Sequence, residues 1–244
     1  HTAAGAIMLG AGECFLCGGV ETMSRVQRGG FNRSPHPQLQ EEYPEAYITM
    51  GLTAENLARQ HDISRTRQEE FALASHQKAA AARDAGRFDE ELVAIATAEG
   101  EVSTDGCIRA DTTLEKMARL PPAFAEDGMV TAATSSPLTD GAAFVIVASA
   151  EFAEARGLTP MARIISTAVA GVPPEIMGIG PVPATRKALE RAGLTLEDMD
   201  VIELNEAFSS QSLAVIDELG LDGSRVNIDG GAIAIGHPLG ASGA

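Results

Sequence analysis

The pattern of apolar and polar residues predicts alternating strands and helices over the second half of the chain. The continuous apolar run at 142–148 is typical of a buried strand, 162–169 is predicted as another, and 201–204 is a shorter candidate. Helices are predicted at 183–193, with a proline near its start and a glycine just past its end, and at 207–219, whose apolar residues share one face. This alternation indicates a layered α/β architecture.

The two ends of the chain are rich in small and apolar residues. Residues 1–12 have no capping pattern before them, which predicts the later turns of a close-packed apolar helix. Residues 13–20 are predicted as a short buried strand, and 240–244 as the opening of a helix. We therefore expect the protein to continue upstream of His1 and downstream of Ala244.

The middle of the chain has a different, helix-rich pattern. Residues 27–47 are polar and contain several prolines, which indicates an irregular connection. The chain then becomes helical, with Thr53 as a possible cap, and Ser64 is placed to cap an alanine-rich helix that stops at Gly86. Short strands and loops follow, so 31–136 is predicted as an inserted α-rich subdomain.

Composition argues against several classes of function. The 244 residues carry a net charge of −16, which disfavours nucleic acid or an anionic membrane as the partner. Aromatic residues make up only 4% and there is no tryptophan, so a platform for base stacking is not expected. Apolar runs fall short of the roughly 18 residues of a membrane helix, and the start has no basic signal region. These features predict a soluble, cytoplasmic protein without membrane contact.

The cysteines and three of the histidines are not predicted to form a site. Cys14 and Cys17 have CxxC spacing, but on a strand they point to opposite faces. A zinc site needs two ligand pairs, and only Cys107 remains. Buried thiols and no metal site are therefore expected. The histidines of the middle segment lie among polar neighbours and are predicted to be solvated: His36, His61 and His76.

Candidate chemistry is concentrated in the glycine-rich stretch 226–244. Its glycines stand at 230, 231, 236, 240 and 243, and His237 is held between Gly236 and Pro238. Glycine lets other groups approach the backbone closely, and the proline biases His237 towards an extended backbone. A phosphate-binding loop would need lysine where His237 stands, and the pattern G-x-G-x-x-G does not occur here. A functional histidine and a plain glycine turn are the alternatives.

A second candidate precedes the helix predicted at 207–219. Asn205 and Glu206 follow the predicted strand 201–204, and Asn205 lies 32 residues before His237. Because α/β folds place chemistry at such strand ends, Asn205 and His237 could converge on one edge of a sheet. Helix capping is the alternative role for Asn205, since asparagine is a favoured cap.

Five motifs occur in the order in which the thiolase family has them. The chain thereby resembles thiolases over nearly its whole length, and five ordered motifs are far more specific than one. The resemblance implies an α/β protein of the thiolase fold: two similar halves in a five-layered αβαβα core, with an α-rich loop domain inserted in the first half. The motifs are GGVETMS at 18–24, MGLTAENLA at 50–58, VTAATSSPLTDG at 130–141, NEAF at 205–208 and GGAIAIGHPLGASG at 230–243.

The resemblance also implies a division of the chain and a set of partners. Residues 1–30 would be the end part of the N-terminal half, 31–136 the loop domain, 137–160 the return to the N-terminal half, and 161–244 an incomplete C-terminal half. Acyl-CoA and CoA are the implied partners; coenzyme A is a substrate, and no cofactor is implied. Family members are generally dimers or tetramers, so a homodimer or homotetramer is expected.

The activity that the resemblance implies is acyl transfer between a thiol and CoA thioesters. Degradative thiolases cleave 3-ketoacyl-CoA with CoA, and biosynthetic ones join two acetyl-CoA by Claisen condensation. His237 would activate a nucleophilic cysteine and donate to an oxyanion site, which a water held by Asn205 completes. Ser136 would contact the pantetheine arm, and Met50 and Phe208 would line the acyl pocket.

The chain departs from the family in its cysteines. The nucleophilic cysteine is expected upstream of the chain and the proton-transferring cysteine downstream, so the chain as written is predicted to be inactive. The stretch 134–140 is closer to degradative thiolases, and the NEAF motif disfavours the carrier-type branch. A non-catalytic thiolase-like subunit or scaffold and a ketosynthase-type condensing enzyme are the alternatives. The CoA phosphates are expected at three cations that cluster within 87–128: Arg109, Lys116 and Arg119.

Overall fold

A computed structural model of the protein describes residues 1–27 and 29–244. Arg28, which belongs to the predicted connection 27–47, lies outside the described residues. The helices are α1 (Thr2–Met8), α2 (Pro37–Glu42), α3 (Met50–Gln60), α4 (Arg65–Asp84), α5 (Leu114–Ala118), α6 (Ala150–Ala155), α7 (Pro181–Ala192), α8 (Ser209–Leu219) and α9 (Ala232–Ile235). The strands are β1 (Cys14–Thr22), β2 (Ile95–Thr97), β3 (Gly100–Val102) and β4 (Asp140–Ala148).

Strands β1 and β4 form an antiparallel sheet that joins distant parts of the chain. The register pairs Cys14 with Ala148 and Thr22 with Asp140. Both strands are predicted from the sequence, but the prediction that they are buried is wrong, because Leu16 is 72% exposed and Phe144 62%. In the described part of the chain these two strands pair only with each other, so no further strand extends the sheet.

The predictions for the thiols and for the first helix are also wrong. Cys14 is exposed, and Cys17 and Cys107 are only half-buried. Helix α1 forms, but Ala3 is its one buried residue and Met8 is 88% exposed, so it is not closely packed. The physical reason is that α1 and β1 contact few other elements, chiefly each other and β4.

Two predicted strands do not form within the described residues. The segment 162–169 is irregular, and Ile165 is largely exposed. The segment 201–204 makes a single parallel bridge between Ile202 and Val226. An apolar run indicates a preference for strand, but a strand also needs a neighbour for its hydrogen bonds, which composition does not reveal.

The core of the molecule is helical. Leu57 of α3 and Leu213 of α8 form one buried cluster with Ile63. Met117 of α5 and Ile233 of α9 pack in a second cluster against α4. Helix α4, which belongs to the middle segment, therefore packs against both α5 and the α9 helix of the glycine-rich stretch, and this places it behind the candidate site.

Local signals explain where the helices begin and end. Ser64 caps α4 by accepting a hydrogen bond from the Arg67 N–H, as the sequence predicts. Helix α7 ends at a left-handed Gly193, with φ of 67°, also as predicted. Thr53 is not a cap: it lies inside α3, and its hydroxyl donates to the Met50 carbonyl. The helix starts earlier than the sequence suggests.

The prediction that the three middle histidines are solvated fails for His76. His76 is buried, and its Nδ1 accepts a hydrogen bond from the Arg109 N–H at 3.2 Å. Burial, and then the nearby Arg109 charge, lower the pKa of His76 below its ordinary value. His36 is exposed, as predicted, and His61 is half-buried.

Candidate functional site

The loop that carries His237 is fixed against the residue just before β4. The His237 N–H donates to Thr139 Oγ1 at 3.2 Å. Gly236 has a φ of 102°, and a Cβ there would lie 2.6 Å from the Thr139 side chain. Glycine is required at 236 for both reasons, since other residues rarely adopt this backbone conformation and there is no room for a side chain.

The structure brings Asn205 and His237 together. Asn205 Nδ2 lies 3.3 Å from His237 Nε2, although the two residues are 32 positions apart. The alternative role of Asn205 as a helix cap is wrong, because α8 begins at Ser209 and Phe208 occupies the cap position. The exposed Asn205 amide is therefore free for a role at the histidine.

The hydrogen bonds around His237 favour one tautomer. Ser242 Oγ lies 3.0 Å from the Pro238 carbonyl, which can only accept; with the hydroxyl proton directed there, the same oxygen accepts from His237 Nδ1 at 2.7 Å. A neutral imidazole with its proton on Nδ1 has a lone pair on Nε2. Nε2 can then accept the hydrogen bond from the Asn205 amide.

Burial favours the neutral form of the His237 ring. Desolvation lowers the pKa of His237 below its ordinary value, so the imidazole is neutral at pH 7. A neutral Nε2 can remove a proton from a nearby acid, and after protonation it can donate to an oxygen that carries negative charge. The geometry therefore suits general acid–base chemistry at one atom.

The predicted substrate-contacting residues lie near the Asn205 segment. The Ser136 N–H donates to the Ala207 carbonyl at 3.0 Å, which attaches the 131–136 loop to the NEAF motif. Phe208 is nearly buried and contacts Phe124 edge-on, with ring centroids 5.7 Å apart. Met50 stands at the start of α3 and is partly exposed, and the same helix supplies Ala54 to the Phe208 cluster.

Sequence reasoning missed residues that hold the histidine in place. Thr139 and Ser242 each contact His237, and both lie inside motifs that the chain shares with the thiolases. Glu206 was predicted only as a neighbour of Asn205, and its carboxylate is buried directly beside the exposed Asn205. The available signal was a charged residue at a predicted strand–helix junction, which needs hydrogen-bond partners if it is buried.

The described thiols do not form hydrogen bonds with His237, and one of the predicted phosphate-binding cations is paired with a carboxylate. In residues 1–27 and 29–244, the hydrogen bonds of His237 go to Asn205, Ser242 and Thr139, and none goes to a thiol. Lys116 Nζ donates to the Asp111 carboxylate at 2.7 Å, so one of the predicted phosphate-binding cations is already paired. Arg109 and Arg119 are exposed.

Two kinds of structure do not occur in the part of the chain that the structure describes. No group of three or more His, Cys, Asp or Glu side chains is placed to hold a metal ion. No helix is at once long enough and apolar enough to cross a membrane.

Comparison with known protein families gives two matches that together span most of the chain. A model of the N-terminal domain of thiolase matches residues 1–151, and a model of the C-terminal domain of thiolase matches residues 158–244. Curated relatives named 3-ketoacyl-CoA thiolase are 52% identical in Hahella chejuensis and 46% identical in Bacillus subtilis. The alignments cover 100% and 99% of this chain, which spans 64% and 65% of those proteins.

Solved structures are similar over the same extent. The dimeric peroxisomal thiolase of Saccharomyces cerevisiae superposes with a TM-score of 0.93 at 40% identity, over 99% of this chain and 63% of the yeast chain. Human mitochondrial 3-ketoacyl-CoA thiolase in complex with CoA gives 0.88 at 44% identity, over 99% of this chain and 64% of the human one. The similarity confirms the fold that the sequence motifs predict.

Proposed function

We propose, from the premise that the chain belongs to the thiolase family, that its Asn205–His237 site serves acyl transfer between a thiol and CoA thioesters. The observation that carries the proposal is the contact of 3.3 Å between the Asn205 amide and His237 Nε2. Thiolytic cleavage of 3-ketoacyl-CoA is the favoured direction, because the similar bacterial proteins bear the name 3-ketoacyl-CoA thiolase. Claisen condensation of two acetyl-CoA is the reverse reaction of the same site.

His237 has two successive tasks in this reaction. Its unprotonated Nε2 takes the proton of a cysteine thiol, and the resulting thiolate attacks the 3-keto carbon of the substrate. As the bond between C2 and C3 breaks, the acyl group stays on the sulfur and negative charge moves to the thioester oxygen of the departing acetyl-CoA, to which the protonated Nε2–H donates. A second cysteine gives its proton to C2 and recovers a proton from the thiol of CoA. The CoA thiolate then attacks the acyl-enzyme and releases acyl-CoA, and Nε2–H returns its proton to the first cysteine.

Asn205 supports the same oxygen. Its amide lies at Nε2, so a water held by this amide would complete the set of donors around the developing negative charge. Removing one such donor typically lowers the rate by about 10²–10³-fold. Ser136 contacts the pantetheine arm, and Met50 and Phe208 line the acyl pocket in this proposal.

CoA and acyl-CoA are the proposed partners, and a homo-oligomer is the proposed assembly. The human relative bears CoA in its structure, and the yeast relative is dimeric, which supports both proposals. The proposed division is 1–30, 31–136, 137–160 and 161–244, and its last boundary lies close to the start of the C-terminal domain match at 158.

The experiment that tests the proposal is His237→Ala in a catalytically active protein that contains residues 1–244. We expect kcat to fall by about 10³-fold and KM to change by less than about threefold, since the lost interaction acts mainly in the transition state. His61→Ala is the control, because this half-buried histidine at the end of α3 has no role in the proposed mechanism. Equal turnover in the two variants would remove His237 from the mechanism.

The polypeptide 1–244 provides a separate test of the three thiols. None of Cys14, Cys17 and Cys107 is assigned as nucleophile, so we expect no acetylated cysteine and no thioester loss with acetoacetyl-CoA and CoA. Intact-mass spectrometry measures the adduct. A stoichiometric acetyl group on one of these cysteines, together with turnover, would make that cysteine the nucleophile and would overturn the assignment.

A further inference from the structure

Glu206 has a buried carboxylate that the proposed mechanism does not use. It is only 1% exposed, and in the described residues it forms no ion pair with Lys or Arg. A buried charge is costly unless hydrogen bonds replace the lost water. The structure supplies these bonds, and the identity of the donors shows what the carboxylate holds together.

The donors to Glu206 come from three separate segments. Ser75 Oγ on α4 donates to Oε2 at 2.6 Å, and the Ile233 N–H in α9 donates to the same oxygen at 3.2 Å. Asn227 Nδ2 donates to Oε1 at 2.8 Å. The carboxylate thus connects α4, the start of the glycine-rich stretch and the helix that leads into His237.

Gly230 and Gly231 lie close to this carboxylate and to α4, where a side chain would not fit. A Cβ at Gly231 would lie 2.3–2.6 Å from the Glu206 carboxyl atoms, so a side chain cannot be accommodated there. The Gly231 N–H donates to Ser75 Oγ at 3.1 Å, so this hydroxyl joins the glycine to the carboxylate. Gly230 has a φ of 83° and approaches the backbone of α4 at Ser75 and Ala79 equally closely.

Asn227 also forms hydrogen bonds to the residue before Asn205. Its side-chain amide accepts from the Leu204 N–H at 2.7 Å and donates to the Leu204 carbonyl at 2.8 Å, as a neighbouring strand would. Asn227 has a left-handed backbone, with φ of 47°, which asparagine tolerates better than most residues. Leu204 and Glu206 are therefore both fixed, and Asn205 stands between them.

We propose that Glu206 is a positioning residue, which with Ser75 and Asn227 sets the distance between the Asn205 amide and the His237 ring. The proposal rests on the function proposed above for that pair. Glu206 does not touch the substrate and transfers no proton. Its carboxylate accepts hydrogen bonds from Ser75, Asn227 and Ile233. Ile233 belongs to the helix that leads into His237, and Asn227 holds Leu204, the residue before Asn205. Ser75 lies on α4, which supports the glycine-rich stretch.

The chemistry of the network predicts that glutamine cannot replace Glu206. All three partners donate, whereas a glutamine amide offers an acceptor on one side and a donor on the other. If the amide oxygen faces Ser75 and Ile233, the amide nitrogen faces Asn227 Nδ2. Asn227 cannot turn its oxygen to this nitrogen without losing both hydrogen bonds to Leu204.

The test uses Glu206→Gln in the polypeptide 1–244, with ¹⁵N NMR of the His237 ring nitrogens across a pH titration. We expect the wild type to hold its proton on Nδ1 and to titrate below the ordinary histidine pKa. In the variant, a mixture of tautomers and a titration midpoint closer to the ordinary value are expected. Unchanged ring signals in a folded variant would overturn the proposal.

The matched control is Glu69→Gln. Glu69 is also a buried carboxylate and lies on the same helix as Ser75, but it pairs with Arg65 at 2.7 Å. We expect this variant to lose stability and to leave the His237 titration unchanged. An equal change in both variants would mean that the signal reports general loosening, and it would contradict a specific role of Glu206.

Ser75→Ala decides the question if Glu206→Gln does not fold. It removes one donor without adding a group, so the fold is expected to persist and the His237 titration to shift in the same direction by a smaller amount. No shift would overturn the proposal.

Kinetics provide a second readout. In a catalytically active protein that contains residues 1–244, a loosened Asn205–His237 pair should lower kcat by up to about 10²-fold with little change in KM. A shifted titration with full kcat would uphold the positioning role and count against the proposed function.

Discussion

The helical region around α3, α4 and α8 differs from the β1–β4 sheet in what covers its side chains. In the helical region even charged groups are buried: Glu55 is inaccessible and accepts hydrogen bonds from the Met129 and Val130 N–H groups. In the sheet, large apolar side chains such as Ile146 are mostly exposed. Burial in this molecule therefore follows the contacts between elements more closely than the hydrophobicity of the residues.

This difference bears on function because the candidate site lies where the two regions meet. Thr139, just before β4, accepts a hydrogen bond from the His237 backbone, while Ser75 and Glu206 support the glycine-rich stretch from the helical side. The support from the helical side is buried and fully hydrogen-bonded. We therefore expect the geometry of the site to depend more on the helical region than on the sheet.

The largest expected effect that separates the two regions is on stability. Leu57→Ala removes a fully buried side chain from the helical core and should lower the free energy of unfolding by about 2–5 kcal/mol. Leu16→Ala in β1 should change it by less than about 0.5 kcal/mol, since the side chain is mostly exposed. Urea unfolding of both variants measures the difference, and equal losses would contradict the comparison.

A smaller effect concerns pH and sharpens the comparison within the helical region. Burial lowers the pKa of His76 in the folded protein, so the unfolded chain binds the proton more readily. Stability should therefore be fully present above the unfolded pKa of 6.5 and fall as the pH drops through the folded pKa. Protonation would also place a positive charge beside Arg109 and break the bond from its N–H.

His76→Gln isolates this contribution, because glutamine keeps an acceptor but does not titrate in this range. We expect the variant to lose less stability than the wild type between pH 7 and pH 5, by an amount smaller than the effect of Leu57→Ala. His237 also has a lowered pKa and remains in the variant, so part of the pH dependence should persist. Identical profiles for the two proteins would show that His76 does not contribute.

The sequence predicted helices better than strands, for a physical reason. Ser64 and Gly193 are local signals, which act on the residues next to them, and both helix termini are where these signals place them. The segment 162–169 has the composition of a strand, but its partners must come from elsewhere in the chain. The same limit explains why the exposure of β1 and β4 was not foreseen.

The site was predicted in part. Asn205 and His237 stand in motifs, and the structure brings them together as the spacing suggested. Glu206 was named only as a neighbour of Asn205, because its importance comes from contacts with residues up to 131 positions away. The contact between α4 and the glycine-rich stretch, made by Ser75 and Gly231, was missed for the same reason. Long-range contacts of polar groups leave no periodic trace in a sequence.

The measurement that tests the account most directly is a double-mutant cycle on Asn205 and His237, in a catalytically active protein that contains residues 1–244. The account treats the two side chains as one unit around a single oxygen. His237→Ala and Asn205→Ala should each lower kcat/KM substantially, and the double variant should lose about as much as His237→Ala alone. If the losses instead multiply fully, or if either single variant keeps its activity, the two residues do not act together and the proposed site is wrong.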